Sequence, residues 1–152
     1  MSAGLLASIA ERGLTHDQAA ILALRDRAMA RVQLAESGDQ ADDELRQAAG
    51  RSFTSLAKVT GIGRQRFSHA RLMMAHAPDL EAKVMSGELL LRHAAFIAWL
   101  RRDHPDLASL AEAMPYGPQD RRASRWRMAR LSYIARRRDH AARQLAGTQT
   151  GV

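Results

Sequence analysis

The chain has 152 residues, 46% of them hydrophobic, but only seven aromatic side chains (three Phe, two Trp, two Tyr) and no cysteine. That is enough for one compact domain or two very small ones; it is too poor in aromatic residues for a β-sandwich and excludes disulfide frameworks, cysteine nucleophiles and thiolate zinc sites. Basic residues number 23 against 16 acidic, 21 of them arginine, and the net charge runs from −3 over residues 1 to 50 through +4 over 51 to 100 to +6 over 101 to 152, which makes a polyanion the first partner to consider.

Thr15 stands where it can cap an amphipathic helix reaching about Glu36, with Ile21, Leu24, Ala28, Val32 and Ala35 on one face. Ser37-Gly38-Asp39 ends it, and Asp42 or Asp43 caps a short helix through Ala49 that Gly50 closes. Helices from Phe53 to Thr60 and from Arg64 to about Ala77 follow, separated by Gly61-Ile62-Gly63 and stopped by Pro78. A short helix over 79–85, one from Leu89 to Leu100, and one after His104-Pro105-Asp106 to Ala113 complete the first part. Beyond Pro115-Tyr116-Gly117-Pro118, a single arginine-dense helix runs from Gln119 to about Leu145 and leaves a polar tail. The expected fold is all-α: a helical domain over 1–114, with a helix-turn-helix at about 53–74 and supporting helices to 113. An Arg-rich extension over 119–146 and a disordered tail over 147–152 follow. No apolar run approaches the ~18 residues of a membrane span, and residues 1–14 lack the pattern of a secretory leader, so a cytoplasmic, nucleoid-associated protein is expected.

Residues 53 to 72 fit the helix-turn-helix pattern position by position. Leu56 and then the small Ala57 let a second helix cross closely, Gly61 sits where the turn needs positive φ, and Ile62 plugs the turn into the core. Phe67, Ala70 and Met74 supply the buried side of the second helix, and Gln65, Ser68, His69 and Leu72 fall opposite. Arg64, Gln65, Ser68 and His69 form a base-reading set for a major groove, since Arg pairs bidentately with guanine and Gln with adenine. Thr54, Ser55, Lys58, Arg66 and Arg71 suit phosphates. The bland alternative is a helical hairpin with a glycine turn and solvated arginines.

Residues 54 to 95, under a third of the chain, resemble the helix-turn-helix of the ParB-like partition proteins and KorB-type plasmid regulators. The likeness rests on Leu56-Ala57-Lys58, Gly61, Arg64 and Phe67, then Arg71-Leu72-Met73-Met74, Pro78, and Gly87-Glu88-Leu89-Leu90-Leu91-Arg92-His93-Ala94. It implies DNA binding of the kind seen in plasmid or phage regulators, with His93 and Ala94 packing or anchoring a phosphate in a supporting helix. The spacing from Phe67 to Pro78 is one residue longer than the family's, and its nucleotide-binding domain with a GERR-type motif has no counterpart in residues 1 to 50. A CTP-driven clamp is therefore not implied.

In the last helix Met128, Leu131, Ile134, Ala135, Ala142 and Leu145 form an apolar stripe. Trp126 and Tyr133 lie on the other side among Arg122, Arg130 and Arg137, with Arg125 nearby, an arrangement suited to phosphates or a minor groove. The same aromatics also fit a core or a dimer seam, with the arginines solvated or paired to acids in 36–44. No catalytic constellation emerges. Asp17, Asp26, Asp42, Asp43 and Glu44 read as caps and solvating charge, and His69 and His76 are seven apart, too far for a metal pair. Asp103-His104 and Asp139-His140 are neighbours that diverge on a helix, and Gly61-Ile62-Gly63 lacks the rest of a dinucleotide fingerprint. The expectation is a non-enzymatic repressor without cofactor, metal, membrane or small-molecule substrate, whose partner is double-stranded DNA. Homodimer and two-headed monomer both stay open. A protein-interaction module and a partition or nucleoid adaptor are the alternatives.

Overall fold

The computed structural model describes residues 11–113 and 121–149. Among these residues the regular elements are all helical: α1 (His16–Ser37), α2 (Asp43–Gly50), α3 (Phe53–Thr60), α4 (Arg64–His76), α5 (Glu81–Met85), α6 (Leu91–Asp103), α7 (Pro105–Glu112) and α8 (Arg121–Gln149), with 3-10 turns at Gly38–Gln40 and Pro78–Leu80. The chain is an all-α multi-helix protein ending in a long helix. It divides into two compact units, Met1–Ala95 and Phe96–Val152.

The first unit is organised by α1. Thr15 and Gln18 form a capping box, in which the Thr15 hydroxyl accepts from the Gln18 N–H and the Gln18 side chain accepts from the Thr15 N–H. Four of the six buried residues of α1 are alanines, and these small side chains let α2 and α4 approach closely. The core they share with Ile21 and Leu24 includes Leu56, Ile62, Phe67 and Met73, all fully buried. The first turns of α1 also act as a latch. Asp17 accepts from Arg66 Nε at 3.0 Å and from the Leu91 N–H at 3.1 Å, so one carboxylate holds α4 and caps the start of α6. Gln18 donates to the Met85 carbonyl at 2.8 Å, and Arg25 pairs with Glu81.

The turn between α3 and α4 follows from local chemistry. Gly61 adopts φ +72° and donates its N–H to the Ala57 carbonyl at 2.9 Å. The Thr60 hydroxyl donates to the Leu56 carbonyl and accepts from the Ile62 N–H, which fixes Ile62 as it enters the core. No atom lies within 4 Å of a Cβ added at Gly61, so the position demands glycine for its backbone alone. We expect Gly61→Val to cost about 1–3 kcal/mol and to lower the thermal midpoint by roughly 2–12 °C. Gly61→Asn, which tolerates positive φ, should recover much of that; equal losses for both variants would point away from φ.

The second unit joins the C-terminal part of α6 to α7 and α8. Phe96, Trp99 and His104 stack in sequence, with ring centroids 5.8 and 5.6 Å apart. Leu107, Ala108 and Ala111 bury one face of α7, which packs on α8. Arg138 donates to Asp106 at 2.7 Å, fastening α8 to the start of α7, and buried His104 lies 3.1 Å through Nε2 from Asp139 without a hydrogen bond to it.

Several sequence expectations shift by one helical position. On α1 the covered stripe runs through Ala20, Ala23, Leu24, Arg27, Ala30 and Leu34, while Ala28, Val32 and Ala35 are exposed. The cause is α2: Arg27 and Arg31 donate to the carbonyls of Arg51 and Ala49 at its end, each at 2.9 Å. On α4, Met73 is buried and Met74 only half-buried, because the three-residue spacing of Phe67, Ala70 and Met73 faces α1 and α3. On α8, Ser124, Leu131 and Ala135 are buried, Met128 and Ile134 are half-buried, and Ala142 and Leu145 are exposed. Helix α6 starts at Leu91 because Asp17 caps it there. The expected tail is helical through Gln149, with Thr148 donating to the Leu145 carbonyl at 2.8 Å. The Pro115–Pro118 break and residues 150–152 lie outside the described residues.

Candidate nucleic-acid interface

Helix α4 begins with Arg64, Gln65 and Arg66, all exposed, after a Gly63 that offers no capping side chain. Its first turn contains no acidic residue. Cations at the positive end of a helix dipole are unfavourable by themselves, and an external anion relieves both the dipole and the open N–H groups. The buried face of α4 (Phe67, Ala70, Met73) lies roughly opposite Arg64, Gln65 and Ser68, which share one outward stripe.

The remaining members of the expected set differ in their freedom. Arg66 turns toward α1, where Asp17 holds its guanidinium. His69 is half-buried beside them, and its pKa is pushed below the usual histidine value, mainly by burial and further by Arg66, with Asp17 pulling the other way. At neutral pH it is therefore an uncharged imidazole that can still donate or accept one hydrogen bond. Arg71 is exposed and rests over the Phe53 ring, 5.1 Å from its centroid. At the start of α3 the capping residue is Ser52, whose hydroxyl accepts from the Ser55 N–H at 3.1 Å. Thr54 is exposed and Ser55 half-buried, one turn from that cap, and exposed Lys58 sits in the last turn, where it complements the negative end of α3. His93 and Ala94 are both buried.

Helix α8 presents a second cationic face. Trp126 and Tyr133 are 64% and 61% exposed, which takes them out of the core. Arg130 lies over the Trp126 ring at 5.7 Å and Arg137 over Tyr133 at 5.8 Å, so each aromatic orients a guanidinium one turn further on. Arg122 and Arg125 are exposed in the first turns of the same helix. Among the described residues, Arg138 is the arginine of α8 that pairs with a carboxylate, and that partner is Asp106, not the acids of 36–44.

Sequence reasoning missed Asp17 as an organiser and Arg27 and Arg31 as partners of α2; both depend on contacts between distant segments. It also missed a groove of 370 Å³ lined by Asp26, Met29, Gln33, Asp42, Glu44 and Leu45. Among the described residues no three His, Asp or Glu side chains gather to hold a metal ion, and no helix is long and apolar enough to cross a membrane. Comparison of the chain with protein-family models, with curated proteins and with solved structures found no match.

Proposed function

We propose that the protein is a sequence-specific double-stranded DNA-binding protein, a transcriptional repressor of phage or plasmid type that acts by occupying its operator. The observation that carries this reading is the first turn of α4: it has no capping side chain and no acidic residue of its own, and it presents exposed Arg64 and Gln65 roughly opposite a fully buried face, with Arg66 paired to Asp17 at its side. In this reading α3, the Gly61 turn and α4 form a helix-turn-helix. Arg64, Gln65 and Ser68 address base edges, with His69 at the rim, and the arginines of α8 hold phosphates. The local resemblance of residues 54 to 95 to ParB-like and KorB-type regulators supports the same conclusion, as does the net charge of +7. Such a protein works in the cytoplasm, on the nucleoid. A partition adaptor would use the same chemistry.

The direct test is binding to duplex DNA between ~50 and ~200 mM salt. Contact with several phosphates makes affinity fall by orders of magnitude over that range; salt-independent or absent binding would overturn the proposal. On a selected site, Gln65→Ala should lose ~1–3 kcal/mol of discrimination at one or two base positions, read as a change in relative affinity for single-base variants. Unchanged selectivity would remove Gln65 from the reading set.

The acidic groove between α1 and α2, lined in part by exposed Met29, favours a second reading as a module that grips a basic protein. That reading predicts that Asp26→Arg abolishes binding of the basic partner and leaves DNA affinity unchanged.

A further inference from the structure

We propose that Arg27 and Arg71, gathered on the Phe53 ring beside the open first turn of α3, form a phosphate-binding site. The two guanidinium carbons lie 4.9 and 5.1 Å from the same ring centroid, although they come from helices α1 and α4. Arg27 is anchored by one nitrogen on the Arg51 carbonyl, the residue before the Ser52 cap, and Arg31 is anchored four residues later on the Ala49 carbonyl. Among the described residues, no carboxylate pairs with Arg27, Arg31, Arg51 or Arg71, and Arg71 makes no hydrogen bond. Ser52 satisfies the Ser55 N–H, and its carbonyl accepts from Leu56, which leaves the N–H groups of Phe53 and Thr54 without an acceptor among the described residues.

Like charges held this close repel. Arg27 has its pKa lowered, first by burial and then by Arg31 and Arg71. Capping of the α2 carbonyls explains why Arg27 and Arg31 point as they do, and the Phe53 ring orients Arg71, but among the described residues no carboxylate balances the charges so gathered. A tetrahedral oxyanion answers all of these features: it accepts from planar guanidinium forks and from the first N–H groups of a helix, and it neutralises the cluster. The phosphate belongs either to a nucleic-acid backbone or to a free phosphoryl compound. The first source rests on the DNA-binding reading and the second does not.

The test compares the full-length protein with Arg71→Gln, Arg27→Gln and the double variant. Arg71→Gln disturbs no hydrogen bond of the fold, so it remains informative if Arg27→Gln is unstable. One arm measures the thermal midpoint in inorganic phosphate against chloride of equal ionic strength; the other measures duplex affinity across salt. We expect phosphate to raise the wild-type midpoint above chloride by more than it raises that of the variants, in which only the general salting effect of phosphate remains; this excess is the phosphate effect of the site. In the duplex arm the slope of log affinity against log salt should become shallower by about 0.9, the value of one phosphate. Loss of the phosphate effect with an unchanged duplex slope assigns the site to a free phosphoryl ligand. The same loss in a protein whose wild type ignores DNA keeps the site and discards the DNA reading. A reduced slope without a phosphate effect assigns it to the backbone of a nucleic acid. No difference between wild type and Arg71→Gln in either arm overturns the proposal and leaves the arginines as packing and caps.

Discussion

Replacing Arg122, Arg125, Arg130 and Arg137 by glutamine together should weaken duplex binding strongly and make what remains less sensitive to salt. Each lost phosphate contact removes about 0.9 from the slope of log affinity against log salt, so four such contacts remove up to ~3.6. Wild type and variant should therefore differ by about a hundredfold more at 50 mM than at 200 mM salt. The fold should survive, because all four side chains are exposed, with Arg130 and Arg137 resting on an aromatic ring one turn away. Helicity and the thermal midpoint serve as the control. A variant with unchanged affinity and slope would confine α8 to a structural role.

The largest effect on stability is expected at Phe67. It is fully buried on α4, packs 6.1 Å from the Phe53 ring, and sits in the core with Leu56, Ile62 and Ile21. Phe67→Ala should cost about 3–5 kcal/mol, the sum of lost burial and the cavity left behind. Against a total stability of roughly 5–15 kcal/mol for a domain, that is enough to lower the urea midpoint sharply. Ser68→Ala, one residue away on the outward side, should change stability by less than about 0.5 kcal/mol. A small loss at Phe67 would mean that the turn at Gly61 does not bring α4 onto this core.

Features governed by near neighbours in the chain were readable from the residues. Thr15 with Gln18 three residues on is a capping box in any context, Asp42 caps α2 as its position allowed, and Gly61 holds positive φ where the two helical patterns meet. The succession of helices and the long last one follow from composition and punctuation in the same way. What escaped was the choice among neighbouring positions on a face. Met73 and Met74 are both apolar and both compatible with helical spacing, and only the direction from which α1 and α3 approach decides between them. Val32 and Ala35 fit an apolar stripe equally well until Arg27 and Arg31 commit that side of α1 to the end of α2. Asp17 looked like a first-turn acid; its partners Arg66 and Leu91 stand 49 and 74 residues away, a distance that leaves no local pattern. The candidate interface divides along the same line. Exposure of Arg64 and Gln65 follows from periodicity, whereas periodicity left Trp126 and Tyr133 open between an outer face, a core and a seam, and the convergence of Arg27 and Arg71 on Phe53 needs three helices in place.

Whether the outward face of α4 reads sequence is decided most directly by selecting random duplex DNA on the purified full-length protein at moderate salt, followed by sequencing. An enriched motif is expected, one that Arg64→Ala and Gln65→Ala each degrade at separate positions. A symmetric motif would indicate a dimer, and an asymmetric one longer than a single groove would indicate two reading elements on one chain. Retained DNA with no enriched motif would contradict sequence-specific repression and leave an architectural role; no retained DNA would contradict DNA binding altogether.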